Sequence, residues 1–406
     1  MKHKVLFAAA LAALGTTAAH AQNSVTLYGL LDAGISYSNN TGGHSNVALS
    51  SGIMQSNRWG LKGAEDLGDG LKAVFVLENG FTLGNGKLGQ GGREFGRNAY
   101  VGLSSNTLGT LTVGRQNEFM YDYVSHMSFE NFNGAGGNIF AHAMDNDNMI
   151  GTFRVNNAVK YQSPNYYGLT FGGLYGFSNQ AGGFANNRAY SFGAMYNNGP
   201  ITAALGYTQI NNNLAGAGSV TNGSVTNTGG AVDSSAASSS ADAALTAGRQ
   251  RTFGGGLNYS FGPANVGFVV TDTRLNNATG FTTGATPLSL ANSANVHFTN
   301  YELNAHYSLT PALTLGAAYT YTNGKFSNAQ NSASPKWNQV SLLSDYNLSK
   351  RTDVYAVANW SHLSGGLTPA QGGAGLAAFE GASSFIGGIA STKNQVVVGA
   401  GIRTRF

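Results

Sequence analysis

The chain has 406 residues, only 10% of them charged, with 58 glycines, 19 tyrosines, 22 phenylalanines and no cysteine. A soluble domain of this size carries about 25% charged residues, and a formal charge of +4 without any basic run gives nucleic acid little to bind. The missing cysteine excludes disulfides, thiolate zinc sites and cysteine nucleophiles together.

At the start, Lys2, His3 and Lys4 form a basic cap, Val5 to Leu14 a short apolar core, and Ala19-His20-Ala21 the small residues that a signal peptidase reads. Residues 1–21 thus read as a secretory signal peptide cleaved after Ala21, too short to span a membrane as a helix. Beyond it no apolar run approaches the roughly 18 residues of a spanning helix. The mature chain, 22–406, reads as one domain that would meet a membrane with strands.

Period-2 alternation recurs along that domain. Tyr301, Leu303, Ala305, Tyr307 and Leu309 alternate with Glu302, Asn304, His306 and Ser308, and Leu313 to Tyr321 repeats the pattern. Such alternation over eight or more residues marks a strand with one apolar and one polar face. Sixteen strands are predicted, near 24–37, 53–66, 71–82, 94–104, 110–117, 152–163, 169–178, 188–198, 201–210, 250–261, 265–274, 298–309, 312–326, 337–348, 352–362 and 394–406. Seven connections are short and rich in Gly, Pro, Asn and Asp, as tight turns require. Eight are long and polar, for example Asn211 to Gly248 and Ser364 to Thr392; the low-complexity stretch Asn222 to Ala244 reads as a surface loop within one of them. The alternation of short and long matches periplasmic turns and extracellular loops of a transmembrane antiparallel β-barrel. Sixteen strands leave an aqueous lumen, whereas eight are filled by side chains. At the end, Val396, Val398, Ala400, Ile402 and Thr404 lead in twos to Phe406, with Arg403 and Arg405 on the other face; this looks like the assembly signal of outer-membrane barrels.

Several motifs name a family. Ser24-Val25-Thr26-Leu27-Tyr28-Gly29 with Asp32, Arg58-Trp59-Gly60-Leu61-Lys62-Gly63-Ala64-Glu65-Asp66-Leu67-Gly68, Ala99-Tyr100-Val101-Gly102-Leu103, Thr112-Val113-Gly114-Arg115-Gln116 and Arg154-Val155-Asn156-Asn157-Ala158-Val159-Lys160-Tyr161 together resemble the general porins of Gram-negative bacteria, particularly of β-proteobacteria. The resemblance implies an outer-membrane homotrimer in contact with lipid, inserted by the barrel-assembly machinery through the C-terminal strand. It also implies that the third long connection, about Asn117 to Gly151, folds inward and narrows the pore. Phe119, Tyr121, Phe129, Phe132 and Phe140 in that loop require burial, and its acids Glu118, Asp122, Glu130, Asp145 and Asp147 would face a basic wall. Parity supplies part of that wall. With Trp59 and Leu61 outward, Arg58 and Lys62 point inward; with Val155, Val159 and Tyr161 outward, so do Arg154 and Lys160. Asp32, Lys72 and Glu78 share the inner face. Arg97 joins the cluster by resemblance, yet its parity follows Ala99, Val101 and Leu103, so either that face is the inner one or a bulge intervenes. The role of Arg115 stays open.

An arginine facing lipid at mid-depth costs roughly 2–4 kcal/mol, which turns the wall arginines toward water. The expected function is passive diffusion of small hydrophilic solutes and ions with a weak anion preference, without cofactor, metal or catalysis. The histidines His44, His126, His142, His297, His306 and His362 are scattered, and neither Gly-x-Ser-x-Gly nor His-Glu-x-x-His occurs. A substrate-specific channel, or an adhesin on a barrel scaffold, is the alternative. Gly254-Gly255-Gly256 lies within a strand pattern and precedes no helix, so it reads as a packing site.

Overall fold

The computed structural model describes residues 24–131, 137–179, 181–185, 187–211, 245–283, 286–367, 379–384 and 386–406. The expected signal peptide at 1–21, Phe132 and the stretch Asn222 to Ala244 lie outside them. Sixteen wall strands run through the described residues: β1 (Ser24–Thr41), β2 in two pieces (His44–Ser51 and Arg58–Gly68), β3 (Leu71–Gly80), β4 (Asn98–Ser105), β5 (Gly109–Gln116), β6 (Val155–Gln162), β7 (Leu169–Gly176), β8 (Ala189–Asn198), β9 (Ile201–Asn211), β10 (Leu245–Phe261), β11 (Ala264–Thr283), β12 (Thr286–Ser308), β13 (Leu313–Ser327), β14 (Lys336–Asn347), β15 (Thr352–Ser364) and β16 (Asn394–Arg405). Each is antiparallel to the next, and β16 pairs with β1 from Leu30↔Arg405 to Ser38↔Val397, which closes the barrel. Closure leaves no edge strand, the condition for a sheet surrounded by lipid.

The two faces follow the alternation. Leu27, Leu103, Phe171, Leu205, Phe253, Leu257, Phe268, Leu303 and Tyr319 are exposed on the outside, while their chain neighbours face in. Tight turns at one end carry the left-handed residues that such geometry needs, among them Asp69 with Gly70, and Gly262. Two expected long connections are instead mostly strand. β1 and β2 continue as a hairpin to Gly42-Gly43, and β11 and β12 run on until Thr283 faces Thr286. On the β11–β12 extension the described inner residues Leu275, Ala278, Ala294 and Val296 are buried in an apolar cluster while Asn276 and Asn295 lie on the other face, so the contrast of apolar outside and polar inside that reveals a wall strand is lost there. The second predicted strand, 53–66, also needs correction: residues 52–57 leave the ladder and turn inward, with Ile53 and Met54 buried.

The connection after β5 lies against the inner wall. It holds a one-turn helix, α1 (Phe119–Asp122), then 3₁₀ turns at Val124–Met127, Asn138–Phe140 and Ala143–Asp145. Beneath α1 four glycines stand directly opposite one another on adjacent strands: Gly172, Gly193, Gly206 and Gly254. A Cβ would come within 2.4 Å of Phe119 at Gly172, 2.7 Å of Phe119 at Gly193, and 2.9 Å of Met120 at Gly206 and at Gly254. The missing side chains form a trough in which α1 sits. Further along, Phe129, Ile139 and Phe140 pack with Ile53, Met54, Leu343, Tyr355, Val357 and Val397, and Ala143 and Met144 join a cluster around Phe298, Trp337 and Phe379. Apolar residues inside a polar lumen are thereby buried against one another.

Filling the trough should loosen the loop. Gly193→Val is expected to lower stability by roughly 1–3 kcal/mol, the usual cost of overpacking, whereas Gly84→Ala, where a Cβ meets nothing within 4 Å, should be neutral. The midpoint of heat-induced loss of the folded electrophoretic band measures both; equal midpoints would remove the trough from the fold's requirements.

Candidate functional site

A basic cluster forms on the inner side of β2 to β6. Asp32 on β1 organises its first member. Its carboxylate accepts hydrogen bonds from the backbone N–H of Met54 (3.0 Å) and Gln55 (2.7 Å) and from the Tyr355 hydroxyl. Asn57 accepts from the Asp32 N–H (2.6 Å) and donates to its carbonyl (3.0 Å). These bonds hold the inward segment 52–57, from which the chain re-enters the wall at Arg58. The Arg58 side chain is half-buried and donates to the Ser56 carbonyl. Lys62 lies four residues further on the same face, exposed, 5.3 Å from the Tyr28 ring centre.

Arg97 resolves its conflict of parity by leaving the ladder. The last β3–β4 rung is Glu78↔Asn98, so Arg97 precedes the strand and its side chain turns in to bond Glu78 at 2.7 Å. Tyr28 donates to the other Glu78 oxygen at 3.0 Å. Arg115 donates to the Gly96 carbonyl (2.7 Å) and to Asn156. Arg154 corrects the parity argument. The β5–β6 register slips between Gly114 and Gln116, and Asn157 takes a left-handed φ of 51°. The face of the strand reverses there, so Val155 is not outward but fully buried in the inner cluster with Phe119. Arg154, immediately before β6, is buried too; burial and the nearby guanidinium of Arg97 lower its hold on the proton. Arg58 and Arg97 line one small space with Tyr121, Glu130, Asn131 and Ile150.

The loop acids do not stand opposite this cluster as free charges. Glu118 is fully buried and caps α1, accepting from Met120 N–H (2.6 Å) and Tyr121 N–H (3.0 Å), from Asn148 and from Thr208. Burial raises its carboxyl above the usual range. Glu130 lies beside the basic space, yet burial drives its carboxyl well up as well, and one oxygen accepts from the His142 N–H at 3.2 Å. Asp145 is buried and accepts from the N–H groups of Ile150 and Thr152. Asp122 remains partly exposed, but it is in direct contact with Lys160 rather than across a gap; the same ammonium donates to the Asn117 carbonyl at 2.8 Å. Asp122 and Lys160 also border a polar recess of about 210 Å³ with Asn98, Tyr100, Thr112 and Gln162.

Sequence reasoning missed the anchor of the loop. His142 places Nδ1 2.7 Å from Asp147 and Nε2 3.0 Å from Glu302 on β12, all three buried. Glu302 also accepts from the Phe129 N–H (2.8 Å) and Asn304 (2.6 Å). Burial opposes protonation of His142, but Glu130 and Asp147 raise it well above the usual histidine range; His142 in turn holds Asp147 below its own, against burial. The readable signal was a carboxylate at an inward position of an otherwise uncharged strand, Glu302 between Asn300 and Asn304. At the C-terminus the Phe406 ring lies beside Gly29, with backbone bonds both ways between the two residues at 3.0 and 3.1 Å.

A closed barrel with a polar interior and an apolar exterior is an outer-membrane barrel. A family model for Gram-negative porins matches residues 8–366, and the chain belongs to that family. It is 43% identical over 236 residues to an outer membrane porin protein of Bordetella pertussis, covering 51% of this chain and 60% of that one. It is 36% identical over 219 residues to outer membrane porin protein 32 of Delftia acidovorans, covering 52% and 60%. The chain thus spans about 60% of the length of these relatives. Among solved structures, the anion-selective porin from Comamonas acidovorans superposes with a TM-score of 0.64 at 23% identity, covering 95% of this chain and 100% of that one. OmpT of Vibrio cholerae in its trimer form gives 0.61 at 16%, covering 95% and 99%. At these identities the likeness is one of fold.

Stability should depend on pH through the loop. Burial and the neighbouring Asp147 push Asp145 up to about 7 from 3.8, so the folded state binds the extra proton and stability falls as pH rises between those values. The raised His142 adds stability that is complete below its usual 6.5 and is lost as pH climbs through its higher folded value. Thermal midpoints are expected to decline from about pH 4 to pH 8, and Asp145→Asn to flatten the lower part; an identical profile for the variant would contradict this assignment.

Proposed function

We propose that the barrel is an open, water-filled channel for passive diffusion of small hydrophilic solutes and ions, weakly preferring anions, with its narrowest part where the inner loop meets the arginines. The supporting observation is an imbalance of charge. Arg58, Arg97, Arg115 and Arg154 gather at one level of the inner wall, where Glu78 pairs with Arg97. The loop sets few free acids against them: Glu118 and Glu130 are buried and take hydrogen bonds from within the protein, burial raising the proton affinity of both, and Asp122 is matched by Lys160. Lys62 adds a further exposed cation on the same face. Charges lining a pore bias which ions enter, and polar solutes orient in the resulting field while apolar ones lose hydration. No bond is made or broken.

By analogy with the trimeric relative, the chain works as a homotrimer with one pore per protomer. Its terminal Phe406, exposed beside Gly29, is the handle by which the assembly machinery recognises it.

Purified protein in a planar bilayer should give large current steps that close in thirds, with a reversal potential of anionic sign in a salt gradient. One charge at roughly 8 Å in water is worth about 0.5 kcal/mol, a factor of about two in local ion population. Raising anions and lowering cations by that factor each, the charge is worth about fourfold in their ratio, so Arg58→Gln should reduce the anion-to-cation permeability ratio about fourfold. Folded protein that passes no current would end the open-channel reading, and an unchanged ratio would remove Arg58 from the constriction.

A further inference from the structure

We propose that the outer face of β10 to β13 carries a seat for the phosphate of a net-anionic lipid headgroup. Arg251, Arg274, His297 and Lys325 stand directly opposite one another across these four adjacent strands, in consecutive pairs. Their parity is that of Phe253, Phe268, Leu303 and Tyr319, so the row points away from the lumen. Facing residues on antiparallel strands have Cβ atoms about 4.5–5.5 Å apart, and like charges so placed destabilise the pair. Arg251 facing Arg274 is such a pair, Lys325 stands two strands beyond Arg274 on the same row, and this gathering of fixed cations calls for an anion.

Among the described residues the counter-charge is too small. Asp272 accepts from Arg274 Nε at 2.9 Å and contacts His297 Nε2. The side chains of Arg251 and Lys325 make no hydrogen bond or ion pair among the described residues, and Arg251 Nε is buried without a partner. Arg274 is half exposed, and the four bases border one hollow together with Asn276 and Asn295.

Position along the strands selects the ligand. The last apolar outward residues are Phe253, Val270, Tyr301 and Tyr321 on the four strands in turn. Each base is the first or second outward residue beyond them, about 7–13 Å further along the strand. Tyrosines at that border mark the membrane interface, so the bases lie at the level of the headgroups at the long-loop end. Guanidinium groups bind phosphate with paired donors, and an ammonium does so as a point charge. Phosphate groups of the surrounding lipid are the anions present at that depth, which favours a phosphate-bearing headgroup over a dissolved ion.

The test uses Arg251→Gln with Lys325→Gln, two side chains that have no bond to lose among the described residues. Retention of dioleoyl phosphatidic acid against equimolar dioleoyl phosphatidylcholine is read by native mass spectrometry of the detergent-purified barrel, with bilayer current confirming that the double variant is folded. The wild type should keep phosphatidic acid selectively, and the double variant should bind it about thirtyfold more weakly, as expected for two basic groups near an anionic surface, at unaltered single-channel conductance. Equal retention by wild type and variant, or equal retention of phosphatidylcholine, would overturn the proposal. So would displacement of the lipid by millimolar inorganic phosphate, which would mark a free-ion site, and so would a changed oligomeric state of the variant with unchanged lipid retention, which would mark a contact between copies.

Discussion

A backbone surrounded by hydrocarbon has no water to bond, so each wall strand must find both neighbours within the protein. Everything else in this molecule answers to that constraint. The first strand must meet the last, and β1 does so along its middle while its two ends pair with the two pieces of β2. The chain ends are tied across the same seam by reciprocal bonds between Gly29 and Phe406. With the backbone satisfied around the ring, side chains are free to sort by face, apolar outward and polar inward. A ring of sixteen strands is too wide for wall residues alone to fill, and this leaves room for the loop after β5.

Two unlike devices hold that loop. At its start, contact comes from absence: four glycines in register let α1 approach the wall backbone more closely than any side chain would permit. Further on, contact is ionic, with the His142 imidazolium shared between Asp147 of the loop and Glu302 of the wall. The second device consumes loop acids that would otherwise face the pore, so the charge of the constriction is set by how the loop is fastened. Counting acids and bases along the chain misleads for this reason, because a carboxyl buried among its own hydrogen-bond partners does not face the pore.

The wall was legible because membrane strands impose the strictest periodic contrast in protein sequences, and turn residues punctuate it. Legibility ended where that contrast ended. The extensions of β11 and β12 look like loop because the usual contrast is lost, with Leu275, Ala278, Ala294 and Val296 turned into an inner apolar cluster. Residues 52–57 alternate well enough to pass for strand, yet Asp32 and Asn57 draw them inward through bonds that no local pattern announces. The bulge at Asn156-Asn157 reverses parity within a single strand, which misplaced Val155 while leaving Lys160 on the inner face. Arg58 and Lys62 were readable from alternation, and Arg97 needed its position outside the ladder. The fates of Glu118, Glu130 and Asp122 depend on partners at Thr208, His142 and Lys160, which sequence spacing does not bring together.

The cluster around Ile53 and Met54 bears on the order of folding. It unites residues from the inward segment between the two pieces of β2, from the inner loop and from β13, β14, β15 and β16, so it cannot exist until the last strand has arrived. The seat of Phe129, Ile139 and Phe140 is thus incomplete throughout synthesis and insertion, and the middle of the loop must dock after the ring has closed. Contacts of such long sequence separation form slowly. Until then a nascent chain carries several large apolar side chains without cover, which makes the unclosed barrel the species most in need of a chaperone.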